Sequence, residues 1–199
     1  MPTGIAIRDA RVQLFDAAER VLIRDGPSAL TSRAVTFEAG FAKGVLHRHF
    51  SDFDAFLVEL VTDRITRIDN QAAALCDSAG TGTVAGNLAG ALTALFGSIA
   101  VAIVALIISR DELRARLRQA GSGGVPLLAE ATAMIGSYLA IERELGRISP
   151  EADVDTLAPL LVGAGHLLFA SRTETKPEAG AVEKVVTAVI ASVVQRPLP

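Results

Sequence analysis

Between Ala39 and Ser51 the chain runs for 13 residues without an acid, and this stretch holds Lys43, His47, Arg48 and His49. Such a cationic stretch can neutralise phosphate, which supplies the sequence-independent part of nucleic-acid affinity. The whole chain has 19 Lys and Arg against 22 Asp and Glu, a net charge of −3. A nucleic-acid partner therefore follows from the local patch and not from overall charge. Within the patch, Ala42 and Gly44 are small enough for the backbone to approach a duplex, and Val45 can meet a thymine methyl. Upstream, Thr31 and Ser32 bring hydroxyls, and Thr31 falls at a helix start, where hydroxyl and amides can bind phosphate. Arg33 can reach phosphate or a guanine edge.

Other reactive side chains are sparse. The 199 residues contain three histidines and one cysteine. One cysteine excludes an intramolecular disulfide framework and any multi-cysteine metal cluster. His47 and His49 are two residues apart, so on a helix they diverge by about 200° and do not converge on one ion. No metal site, cofactor or catalytic set is expected: the chain has no Gly-x-Ser-x-Gly elbow and no His-Glu-x-x-His. Gly121-Ser122-Gly123-Gly124 lacks the Lys-Ser or Lys-Thr of a phosphate loop and reads as a mobile connection. Cys76 reads as a small buried hydrophobe.

The elements that must hold the patch follow from periodicity and caps. Leu14, Ala17, Ala18, Val21 and Leu22 form one stripe of a helix over 8–24, which Asp25-Gly26-Pro27 ends. Thr31 caps a short helix over 32–39, closed by Gly40. A third helix over 42–50 follows so closely that the pair reads as a helix-turn-helix. Asp52 caps a long fourth helix with its apolar stripe at Phe56, Leu57, Leu60, Val61, Ile65 and Ile68.

Beyond residue 68 the composition shifts to Ala, Leu, Val, Ile and Gly. Residues 78–109 carry no charge. This run could be a membrane span, a helix buried in a bundle, or one wall of an apolar pocket. It lacks an aromatic belt and a one-sided Lys/Arg excess, which favours the buried helix. A charged helix over 110–119, a helix over 125–145, one opened by Ser149-Pro150-Glu151 and kinked at Pro159, and a last helix from 176 to 195 complete the chain. The fold class is all-α, with about nine helices. Phe96 and Ile103 from the apolar run, with Tyr138 and His166 in apolar surroundings, are the candidate pocket residues. Gly163 and Gly165 allow a close helix approach, at a dimer interface or in internal packing. At 50% hydrophobic residues the chain can build a core. No apolar export segment follows Met1, so the expected address is cytoplasmic.

Thr31, Ala39-Gly40, Phe41, Ala42, Lys43-Gly44, Leu46, His47-Arg48-His49-Phe50 and Asp52 together resemble the N-terminal domain of the TetR family of transcriptional regulators. The resemblance covers about 60 residues well. It departs from the family pattern at Ala42 (often Ser), Val45 (commonly Thr), His47 (usually Tyr) and Phe53 (usually Lys). The resemblance implies a DNA-binding domain over 1–68 and an effector-binding and dimerisation domain over 69–199. It implies contacts to a double-stranded operator from residues 31–33, 42–45 and 47–49, a homodimer through the last two helices, and no enzymatic activity. The expected function is that of a repressor released from a palindromic operator by a small, apolar effector. The residues alone also leave open a carrier or enzyme using an apolar C-terminal pocket, and a membrane-tethered regulator.

Overall fold

A computed structural model describes residues 5–170 and 177–194. Ten α-helices and one 3-10 turn account for about three quarters of them, and no strand occurs among the described residues beyond an isolated bridge between Ile148 and Val194. The helices are α1 (Ile5–Asp25), α2 (Ser32–Glu38), α3 (Val45–His49), α4 (Phe53–Asp77), α5 (Val84–Phe96), α6 (Ala100–Ser109), α7 (Asp111–Gln119), α8 (Leu128–Glu144), α9 (Val154–Ala170) and α10 (Ala181–Ile190). They form two compact units. The first takes the described residues up to Asp63 together with Ala102–Pro126; the second takes Arg64–Val101 and the described residues from Leu127 onward.

Local chemistry sets the ends of the early helices. Gly26, at φ 79°, donates its N–H to the Leu22 carbonyl and stops α1. Thr31 caps α2 by accepting from the Ala34 amide at 3.1 Å. At the other end, Gly40 has φ 70° and Phe41 donates to the Thr36 carbonyl at 2.8 Å, which satisfies a carbonyl the helix leaves open. Asp52 caps α4 by accepting from the Ala55 amide at 2.7 Å. In the core of this unit, Phe15, Phe50 and Phe56 meet pairwise, with ring centres 5.0 to 5.9 Å apart.

Four expectations need correction. The third helix starts at Val45 rather than 42. With Ala at 42, no side-chain oxygen accepts the first-turn amides, and Gly44 makes no cap bond, so residues 42–44 form a turn instead. The apolar run is two helices, bent by 55° at the break, so the helices number ten. At the break, Ser98 Oγ donates to the Leu95 carbonyl at 2.6 Å, and a Cβ on Gly97 would lie 2.5 Å from the Thr93 carbonyl oxygen. No single helix among the described residues is long and apolar enough to cross a membrane. Within this run Leu88, Leu92, Leu95, Phe96, Ile103, Leu106 and Ile107 are buried. The ninth helix begins at Val154, not at Pro150, because Asp153 supplies the cap, accepting from the Thr156 amide at 3.1 Å. The last helix begins at Ala181 and ends at Ile190. Lys176 and Gln195 lie outside the described residues.

In the second unit α8 packs on α9, and α10 packs on both α5 and α9. The close approach of α9 to α5 depends on Gly165, where a Cβ would lie 3.1 Å from the Phe96 ring and 3.3 Å from Leu92. Gly165 therefore serves internal packing. Gly163 faces open space.

Candidate nucleic-acid interface

The helix-turn-helix residues divide cleanly between core and surface. Leu30, Val35, Leu46 and Phe50 are buried and fix α2 and α3 against α1 and α4. Thr31, Arg33, Ala42, Lys43, Gly44, His47 and Arg48 are exposed, while Ser32, Val45 and His49 are half-buried. All ten expected contact residues thus lie on α2 or at its N-cap, on α3 or in the turn before α3. Thr31 is also committed to capping α2, through its hydroxyl oxygen.

The frame behind them is held by ion pairs. Glu38, near the end of α2, accepts from Arg20 Nε at 2.7 Å and Arg24 Nη1 at 2.9 Å of α1. The Arg20 bond, then the Arg24 bond, hold its carboxyl below the usual range. Glu38, the acid just before the cationic stretch, is therefore already paired, on the α1 side. Arg11 of α1 lies over the Phe50 ring at 4.5 Å, donates to the His49 carbonyl at 3.2 Å and pairs with Glu59. This pins the end of α3 to α1 and α4.

A third support comes from much later in the chain, and the sequence reading missed it. Asp52 also pairs with Arg116 of α7, with Nη1 at 2.8 and 3.0 Å from its two carboxylate oxygens. The Ala55 amide and then Arg116 hold the Asp52 carboxyl low. Arg110, between α6 and α7, donates to the Leu30 carbonyl at 2.6 Å and lies 5.5 Å from the centre of the Phe53 ring. No local signal announces contacts 64 and 80 residues apart in sequence. Phe53, besides meeting Arg110, stacks on Phe56 at 5.7 Å.

The four candidate pocket residues are not gathered in one place. Phe96 and His166 meet edge-to-face with ring centres 5.7 Å apart. Burial lowers the His166 pKa, so the ring is neutral near pH 7. Tyr138 belongs to a separate buried polar cluster. Its hydroxyl donates to Glu142 Oε1 at 2.6 Å and accepts from Asn87 Nδ2 at 3.0 Å, and burial pushes its pKa up. Asn87 and Arg147 donate in turn to the Thr81 carbonyl, so the cluster ties down the α4–α5 connection. Glu142 sits four residues after Tyr138, a spacing legible in sequence; Asn87 carries no such signal. Ile103 is buried in the first unit. A cavity of about 760 Å³ lies between α5, Phe169 and the start of α10, floored by Ala89, Gly90, Thr93 and Ala94. Phe96 reaches it only indirectly, against Phe169 at 6.4 Å.

A short helix pair joined by a tight turn, with an exposed cationic stretch, defines a helix-turn-helix domain. Residues 14–60 match the family model of bacterial regulatory proteins, tetR family. This match spans α2, α3 and the adjoining parts of α1 and α4. The whole chain shares the fold of Bacillus subtilis FadR, solved in complex with stearoyl-CoA, at 19% identity and a TM-score of 0.68 over 90% of this chain and 97% of that one. It also shares the fold of a transcriptional regulator from Saccharomonospora viridis in complex with choline (15% identity, TM-score 0.71, 95% and 100% covered). Reduced E. coli NemR is similar at 16% identity, with a TM-score of 0.68 over 94% and 99% of the two chains. No curated protein sequence matches the chain.

Proposed function

We propose that this protein is a ligand-responsive transcriptional repressor that binds a palindromic operator as a homodimer and is released by a small apolar effector. The carrying observation is the set of exposed residues on α2, α3 and the turn between them, locally free of acids and braced from behind by α1, α4 and α7. Thr31, Ser32 and Arg33 contact the phosphate backbone. Ala42, Lys43, Gly44, Val45, His47, Arg48 and His49 enter the groove or line its edge. Residues 1–68 carry these contacts, and 69–199 carry effector binding and dimerisation.

The effector reading draws on the cavity against α5, whose volume suits a drug-sized molecule and whose floor is mostly small and apolar. The stearoyl-CoA of FadR and the choline of the Saccharomonospora viridis regulator show that this fold accommodates small ligands. The dimer reading draws on α9, where Leu160 and Leu167 are 55% and 72% exposed on the stripe that also holds Gly163. Release requires an effector that binds the DNA-incompetent state more tightly than the competent one.

Selection of bound sequences from a random duplex pool tests this directly. The expected result is a two-fold symmetric consensus with half-sites about one helical turn or more apart, and affinity falling steeply with salt. No enrichment over the input pool would overturn the reading.

A further inference from the structure

Arg110 is a cation that the first unit positions but does not neutralise. It is the single residue between α6 and α7 and is half-buried. Its Nη2 donates to the Leu30 carbonyl at 2.6 Å, and its guanidinium lies 5.5 Å from the Phe53 ring centre. Leu30 immediately precedes Thr31, and Phe53 is the first residue of α4. The guanidinium therefore stands between the two chain segments that flank the cationic turn.

Two neighbouring arginines of α7 behave differently. Arg114 is paired with Asp111, and Arg116 with Asp52 and Glu112. Arg110 has no carboxylate within ion-pair distance among the described residues. A guanidinium carries five N–H donors, and one is used here. An arginine held against an aromatic face and a carbonyl has already lost much of its rotamer freedom, and its remaining fork suits two oxygens of a phosphate.

We infer that Arg110 is a DNA-phosphate contact, supplied to the helix-turn-helix from the α6–α7 junction. This rests on the reading of α2 and α3 as the DNA interface. It adds a residue from outside the first 68 to that interface. It also makes one operator contact depend directly on where α6 ends and α7 begins.

The test uses the full chain, the duplex selected by the unaltered protein, and a scrambled duplex of equal length, with affinity followed against KCl. Arg110→Gln retains a donor for the Leu30 carbonyl and removes the charge. It is expected to weaken binding to both duplexes and to reduce the salt slope by about one unit per protomer. Arg110→Lys keeps the slope. Phe53→Lys, made alone, places a second cation at the same locus and steepens the slope by about one unit. An unchanged slope in Arg110→Gln overturns the inference, as does a loss confined to the selected duplex. Should Arg110→Gln fail to fold, Phe53→Lys decides: a slope unchanged or shallower overturns the inference. If the unaltered protein shows no salt-dependent duplex binding, the repressor reading falls first. If it binds steeply and only the variants disagree, the Arg110 inference falls alone.

Discussion

Lys43 and His47 separate two kinds of proposed contact. Both are exposed, but a lysine ammonium is a point charge suited to phosphate, whereas an imidazole at the face of α3 can discriminate bases. Lys43→Ala is expected to weaken binding across all sequences and to reduce the salt slope by about one unit. His47→Ala should instead alter the selected consensus; an unchanged affinity and consensus would remove His47 from the groove. Away from the interface, His166 imposes a pH dependence on stability. Its pKa is lowered in the folded state, so the unfolded chain takes up the proton first as pH falls. Stability is therefore full well above pH ~6.5 and declines as pH drops below that value. His166→Phe should flatten the decline, read as melting temperature between pH 7.5 and pH 5. Tyr138→Phe removes a buried donor to Glu142, a carboxylate with no exposed surface. A loss of about 1–3 kcal/mol is expected in denaturant titration, without loss of fold.

At the level of elements, the joint between α4 and α7 shows how two roles of one side chain can be weighed. Asp52 both caps α4 and pairs with Arg116. The pair is 48% and 33% exposed, so solvent screens it and its coupling in a double-mutant cycle should be small. Losing the cap leaves a first-turn amide without its acceptor and costs more. Asp52→Ala should therefore destabilise more than Arg116→Ala; equal losses would mean that the cap contributes nothing. The same elements show what a sequence can disclose. Thr31, Gly40 and Asp52 act on amides and carbonyls a few residues away, so α2 and the start of α4 are legible from spacing alone. The start of α3 was legible only in part: Ala42 offers no cap, yet its apolar neighbours continue the helical pattern backward. The break at Gly97 and Ser98 was hidden because apolar residues continue across it in register. Arg110 and Arg116 were hidden because their partners lie in a distant segment that composition does not mark.

For the molecule as a whole, the proposed dimer decides whether the proposed DNA contacts act once or twice. Leu167 is 72% exposed on α9, and Leu167→Glu places a charge in the proposed interface. The expected outcome is a monomer by sedimentation and a roughly 10²–10⁴-fold loss of operator affinity, since linked binding sites gain about that much. A variant that stays dimeric would move the interface away from α9. A different consequence follows from the way the first unit is assembled from two stretches of chain. Residues up to Asp63 leave the ribosome well before Ala102–Pro126, and the second unit waits on residues from Leu127 onward. At roughly 5–20 residues per second the gap lasts several seconds. During that time Leu30 and Asp52 have yet to meet Arg110 and Arg116. Nascent chains stalled with only the first 68 residues outside the exit tunnel should be cut readily by protease, and resistance of that segment should appear once Pro126 has emerged. Resistance before that point would mean that the early helices settle without the later pair. On this expectation, the order of synthesis sets a brief period in which the helix-turn-helix exists as a chain but not yet as a shape.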